Sequence, residues 1–284
     1  LWPALDVVGV VEPDLVLALV DDFSPTALEE RGDRVRLFFP AARLRDAAVA
    51  DLRSGALAGA IRVHAVDVDD EGWAERSQAD LPAVTVGRLT IHPEGSARQP
   101  PRSAGLERPA SRIDIVIAPS MGFGTGHHAT TRLCLHALQS IDLAGASVLD
   151  VGTGSGILAI AAVRLGATRA IGVDTDPDAL ASARENLARN PDAAVAVELR
   201  QADATGLPRG VLSRRFDVVV ANLTGVLLGR AADGLTRAVA PHGLLVVSGL
   251  LADERDEVVR ACGPFTLLRE TAEDGWVCLV MKNR

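Results

Sequence analysis

Asp150-Val151-Gly152-Thr153-Gly154-Ser155-Gly156 decides how this chain is read. The stretch follows an apolar run, Ser147-Val148-Leu149, and opens a second one from Ile157 to Leu165. An apolar run, a glycine turn and a longer apolar run predict a strand, a tight loop and a buried helix. Glycines there permit positive φ and let the backbone approach a ligand closely. The helix start behind them offers backbone N–H groups with no partner inside the helix. The dinucleotide fingerprint G-x-G-x-x-G does not fit, because the third glycine would fall at 157, which is Ile157. Taken alone, the loop also reads as a simple strand-to-helix turn.

The spacing G-x-G-x-G, with an acid two residues before the first glycine, resembles motif I of class I methyltransferases, which bind S-adenosylmethionine. The following residues extend the likeness. Ala170-Ile171-Gly172-Val173 predicts a second strand ending in Asp174, about one βαβ step from Gly152. A carboxylate at that strand end can accept both ribose hydroxyls of the cofactor. Asp176-Pro177-Asp178 reads as a helix start, with Asp176 as cap and Pro177 in the first turn. A third strand over 195–200 leads to Asp203, a candidate for the adenine amino group or an ordinary turn residue. A fourth over 216–221 ends in Asn222, at the acceptor side of the crevice or as a helix cap.

The chain has 284 residues, 48% of them hydrophobic, and a net charge of −8. That is enough for one or two domains with a substantial core. No apolar run is long enough to span a membrane, and no secretory leader is apparent. Three widely spaced cysteines argue against a disulfide framework or a metal site, so no metal is expected. A cytoplasmic monomer is the expectation. Residues 1–92 hold nine Arg against sixteen Asp and Glu, a net of −7. Such a surface does not suit direct nucleic-acid binding, but it suits a basic protein partner.

Organisation follows from periodicity. Residues 94–112 are rich in Pro, Ser, Gly and Arg and read as a linker. Strands are expected over 6–11, 34–39 and 61–68, and helices over 12–22 and 41–52. With a weaker strand near 26–30, this suggests a small ferredoxin-like α+β domain. A short helix over 70–80, with Trp73, and two short strands at 84–86 and 89–92 complete it. Residues 113–284 then alternate strand and helix, closing on a hairpin around Ala272-Glu273-Asp274-Gly275. The fold expected is a small α+β domain (1–92), a linker (93–112) and a Rossmann-like α/β domain (113–284).

The segment before the glycine turn narrows the family. Phe123-Gly124-Thr125-Gly126-His127-His128-Ala129-Thr130-Thr131-Arg132-Leu133-Cys134 resembles the signature of the ribosomal protein L-eleven methyltransferases, the PrmA family. The resemblance implies a seven-stranded sheet with one antiparallel strand. It implies S-adenosylmethionine held by Thr131, Asp150, Gly152, Gly154, Gly156, Asp174, Asp203 and Asn222. It also implies a loop from Phe123 through Thr125 to His128 that closes over the cofactor and acceptor. The acceptor it implies is a basic ribosomal protein, methylated on lysine side chains or its N-terminal amine and held by the small domain. Another protein or a small-molecule amine is the alternative acceptor, and a non-catalytic ribosome-assembly module a third reading. His128 is read as a catalytic base or, preferred, as the anchor of a glycine-rich loop. His127 and Ala129 depart from the family's Thr and Pro, and Thr224-Gly225-Val226 departs from its usual Leu-Ala-Gly-Pro-like segment. The linker lacks the family's Trp. These departures bear on the acceptor more than on the cofactor.

Overall fold

The computed structural model describes residues 2–9, 13–20, 23, 25, 27–31, 34–55, 59, 61–68, 82–93, 112–118, 126–212 and 214–284. The chain forms two compact units, divided near residues 77 and 78.

The first unit runs β1 (Trp2–Val8), α1 (Pro13–Leu19), β2 (Ala27–Arg31), β3 (Arg34–Phe38), α2 (Ala42–Ser54) and β4 (Arg62–Val68). Its four strands order as β2-β3-β1-β4, and every neighbouring pair is antiparallel. The weak strand near 26–30, expected as an inner strand, is present as β2 but lies at the edge of the sheet, paired with β3. Strand β1 begins earlier than its sequence suggested, and residues 10–12 lie outside the described segments. Leu5, Val7, Val35, Leu37, Ala48, Val49 and Leu52 form a common core between the sheet and the helices. Asp6, nearly buried, takes both Arg36 Nε at 2.6 Å and Arg34 at 3.0 Å. Burial works against its ionisation, but the two guanidiniums prevail and hold the carboxyl below its usual range.

The second unit opens with β5 (Val84–Val86), β6 (Leu89–Pro93) and β7 (Ile113–Ile117), which form a three-stranded sheet. Residues 78–92, expected in the small domain, therefore fall with the larger unit, because β6 pairs with β7 rather than with the first sheet. The linker segment 94–111 and the expected helix over 70–80, Trp73 included, lie outside the described residues. The chain continues through α3 (Ala129–Gln139), β8 (Ser147–Val151), α4 (Ile157–Arg164), β9 (Arg169–Asp174), α5 (Pro177–Arg189), α6 (Pro191–Ala194) and β10 (Val197–Gln201). It ends with α7 (Arg209–Leu212), β11 (Phe216–Asn222), α8 (Gly225–Ala238), β12 (Val239–Leu251), α9 (Arg255–Ala261), β13 (Thr266–Glu273) and β14 (Trp276–Lys282).

The main sheet orders as β10-β9-β8-β11-β12-β14-β13. Only β14 runs against the others. Parallel strands covered on both faces need continuous apolar side chains, which explains runs such as Phe216-Asp217-Val218-Val219-Val220-Ala221. Helix α4 is apolar all round, and its first six residues are all buried, as a helix inside a layered fold must be. Strand order reverses between β8 and β11. A crevice opens there at the carboxyl ends of the strands, the place where such sheets bind ligands.

Candidate active site

The glycine turn after β8 is built by backbone bonds. Gly152 N–H and Thr153 N–H both donate to Val173 O at 2.9 Å, which ties the turn to the end of β9. Gly152, Gly154 and Gly156 all have positive φ. At Gly152 a second constraint applies: a Cβ there would lie 2.4 Å from Leu223 Cδ2. The turn thus presses directly against the chain leaving β11.

Two acids frame it. Asp150 is fully buried, and its Oδ2 accepts from Thr153 Oγ1 at 2.6 Å and Ala159 N–H at 3.1 Å. Its Oδ1 is buried, with no hydrogen-bond partner among the described residues. Burial pushes the carboxyl up to about 7, against those two donors, and the nearby Asp174 charge adds to the rise. Asp174 is only half-buried. Its Oδ2 accepts from Gly154 N–H at 2.9 Å and its Oδ1 from Asp176 N–H at 3.1 Å. It therefore sits on the glycine turn as an acceptor with lone pairs to spare. Asp176 caps α5 through Asp178 N–H, as its sequence indicates.

Asp203 is exposed beyond β10. Its Oδ1 accepts from both the N–H and the hydroxyl of Thr205 at 2.8 Å. That hydroxyl first, then the N–H, hold its carboxyl below the usual range. It caps a short turn at Ala204–Gly206 and leaves its second oxygen for another donor.

On the other side of the reversal stands Asn222, the last residue of β11. Its Nδ2 donates to Thr131 Oγ1 at 3.5 Å, so the two polar residues expected at the cofactor meet across 91 positions of sequence. Thr131 is buried in the first turn of α3. His128 is the N-cap of that helix. Its Nδ1 accepts from Thr130 N–H at 3.3 Å and lies 2.8 Å from Thr130 Oγ1. A ring nitrogen that accepts a backbone N–H carries no proton, so the neutral ring is protonated at Nε2. The His128 ring meets Trp276 edge-on, with centroids 5.2 Å apart. His127 Nε2 lies 3.1 Å from Pro82 O. Phe123 and Thr125 lie outside the described residues.

Two asparagines not singled out in the sequence tie the turn and β7 to this part of the fold. Asn186, fully buried on α5, donates through Nδ2 to Ser155 O at 2.9 Å and accepts from Ala118 N–H at 2.7 Å. Asn190 accepts from Val116 N–H and donates to Val116 O, so one amide satisfies both backbone groups of a β7 residue. Asparagine is a poor interior helix residue, so its appearance four apart beside the stripe Leu180, Ala183, Leu187 was the available signal.

The model of the family described as ribosomal protein L11 methyltransferase (PrmA) matches residues 18–284. The chain belongs to that family. A ribosomal protein L11 methyltransferase of Geobacter metallireducens is 42% identical over 214 residues, covering 74% of this chain and 66% of that protein. Its counterpart in Pseudomonas aeruginosa is 40% identical over 224 residues, covering 78% and 71%. The chain thus spans about two thirds of the length of the curated relatives it matches. The crystal structure of a ribosomal protein L11 methylase from Lactobacillus delbrueckii subsp. bulgaricus superposes with a TM-score of 0.61 at 24% identity, covering 71% of this chain and 99% of that one. It shares the fold. The methyl donor of this family, S-adenosylmethionine, fits the crevice on observations of the site itself. The glycine turn admits close approach, Asp174 offers acceptor lone pairs at its edge, and Asn222 and Thr131 converge opposite it.

Proposed function

We propose that this protein transfers methyl groups to amines of ribosomal protein L11, on lysine side chains, the N-terminal amine or both. The observation that carries the reading is the Asn222–Thr131 pair facing a glycine turn that bears Asp174, in a chain of the PrmA family. S-adenosylmethionine supplies a methyl group on a sulfonium, a leaving group that needs no acid. The protein's task is alignment. Gly152, Gly154 and Gly156 with Asp174 hold the cofactor side, Asp150 stiffens the turn from inside, and Asp203 offers its free oxygen farther out. Phe123 and Thr125 belong to the loop assigned to the same ligand.

The acceptor must attack as a neutral amine, yet a free lysine has a pKa of about 10.4 and is under about one-thousandth neutral near pH 7. Among the described residues no donor engages Asn222 Oδ1, which leaves it to accept an amine N–H and turn the lone pair inward. His128 shapes the start of α3, with Nδ1 engaged, and serves as an anchor rather than a base. The strand order of the first unit supports its reading as a ferredoxin-like module, and its acidic composition suits holding a basic ribosomal protein. We assign a cytoplasmic monomer; no described helix is long and apolar enough to cross a membrane.

The test is transfer itself. Purified protein, labelled S-adenosylmethionine and isolated L11 are mixed, and added methyls are located by mass spectrometry. Methylated lysines or a methylated N-terminus are expected. No transfer, with cofactor binding intact by calorimetry, points to another protein or a small-molecule amine as acceptor.

A further inference from the structure

A closed circuit of neighbours surrounds the acceptor end of the crevice. Asn222 touches Thr131 on α3, and His128 caps the same helix. His128 meets the ring of Trp276. Trp276 pairs in register with Leu251, the last residue of β12. Leu251 N–H donates to Glu254 Oε2 at 2.7 Å. The carboxyl of Glu254 leans on Gly225, where a Cβ would lie 2.4 Å from its Cδ and 2.5 Å from Oε1. Gly225 is three residues from Asn222, which closes the circuit. The chain between them is pinned, since Leu223 N–H donates to Ser248 O at 2.9 Å and Gly249 packs on Leu223 O.

Glu254 is the one carboxylate in this circuit. It is half-buried, with one oxygen fixed by backbone. Among the described residues Oε1 has neither a hydrogen bond nor an ion pair. Helix α8 begins against it, and Thr224 makes no side-chain cap there, so the helix start offers partial positive charge that favours an anion at this spot. A held carboxylate with a free oxygen, packed on Gly225 three residues along the chain from Asn222, is a receptor for an amine cation.

We infer that Glu254 receives the acceptor amine and stabilises the positive charge that develops on its nitrogen. The inference rests on the amine-transfer reading above. One proton leaves the incoming ammonium to solvent. The nitrogen lone pair then forms the new N–C bond as the S–C bond breaks and its pair stays on sulfur. Positive charge thereby moves from sulfur to nitrogen, toward Glu254. A carboxylate at that position favours the transition state over the neutral amine that precedes it. It also favours the bound ammonium, so it raises the pH at which the bound amine loses its proton. The consequence is selectivity for amines over neutral acceptors.

The test uses Glu254→Gln, which keeps an oxygen for Leu251 N–H, and Glu254→Asp, which keeps the charge. Full pH profiles of kcat and of KM for L11 are measured, with cofactor affinity by calorimetry. For Glu254→Gln the expected result is a plateau kcat/KM about 10- to 100-fold lower. The rise of kcat with pH should also move to lower pH, since the bound amine deprotonates more easily. Cofactor affinity should be unchanged, and Glu254→Asp should restore the wild-type pH limb. An unchanged plateau and limb in Glu254→Gln overturns the role of Glu254 alone. A loss of cofactor affinity also overturns it, by placing the effect in the other half of the site. A wild-type protein that methylates neither L11 nor its free amines overturns the proposed function, and this inference with it.

Discussion

The two lips of the crevice are built differently. On the β8–β9 lip the backbone turn and its two acids are fixed by short bonds inside the protein. Val173 O takes two N–H groups, Asp174 takes two more, and Asp150 is sealed among Thr153 and Ala159. On the β11–β12 lip the backbone is pinned, but several side-chain groups keep long bonds or open positions. Asn222 reaches Thr131 only at 3.5 Å, Thr224 leaves its helix uncapped, Val226 is half-exposed, and Glu254 keeps a free oxygen. The first lip is preorganised for one ligand that never changes. The second leaves its hydrogen-bonding capacity to the substrate, which is where a family can change acceptor without rebuilding its cofactor site. The departures at Thr224-Gly225-Val226 fall on that second lip.

Substitutions should separate the lips. The largest effect is expected from Gly152→Ala. The new methyl group meets Leu223 at 2.4 Å and the residue must hold φ of +72°. Strain and overlap of that kind cost a few kcal/mol, so cofactor affinity should fall by about 100-fold. Calorimetric titration reads this directly, and wild-type affinity would show that the turn is less constrained than its geometry says.

Next comes Asn186→Ala, which strands Ala118 N–H and Ser155 O in the interior. Each buried group left without a partner costs about 1–3 kcal/mol, so chemical denaturation should show a loss of a few kcal/mol. Cofactor affinity should drop with it, because Ser155 lies in the turn. A comparable loss from substituting exposed Glu185, one residue away, would break the assignment.

The smallest effect is a slope. Asp150 titrates near 7 in the folded protein and near 3.8 when unfolded. Between those values the folded state keeps a proton that the unfolded chain has lost. Stability from this group is therefore greatest below pH 4, falls as pH rises and levels off above 7. Asp150→Asn should be flatter over that window by up to about 1.4 kcal/mol per pH unit. Denaturant titrations of both proteins at pH 5, 6, 7 and 8 measure the difference.

The sequence exposed the first lip well and the second poorly, for a physical reason. A ligand turn between a strand and a helix is local, so Asp150 to Gly156 and Asp174 are visible as glycines and acids in fixed relation to apolar runs. Asn222 was visible as the polar end of such a run. Glu254 was not, because Asp253-Glu254-Arg255-Asp256-Glu257 has the composition of any solvated helix start. Its meaning comes from Gly225, brought beside it only by the pairing of β11 with β12. The asparagine pair was hidden likewise, since its partners at 116 and 118 lie some seventy residues earlier. The allegiance of β5 and β6 is not legible in the sequence, because both strands are too short to show it. Only the pairing of β6 with β7 settles it.

The position of β14 has a consequence for how the chain is made. Strand β13 precedes β14 in sequence but joins the main sheet only through it. While the protein emerges from the ribosome, β13 has no place in that sheet, and β12 keeps one apolar edge bare for its thirteen residues. Exposed edges of this kind recruit other chains. A polypeptide stopped before Trp276 would carry the complete first lip and still lack both the aromatic wall of the second and the strand that closes the edge. Placement of β14 is thus the step that turns an aggregation-prone half-sheet into a closed one.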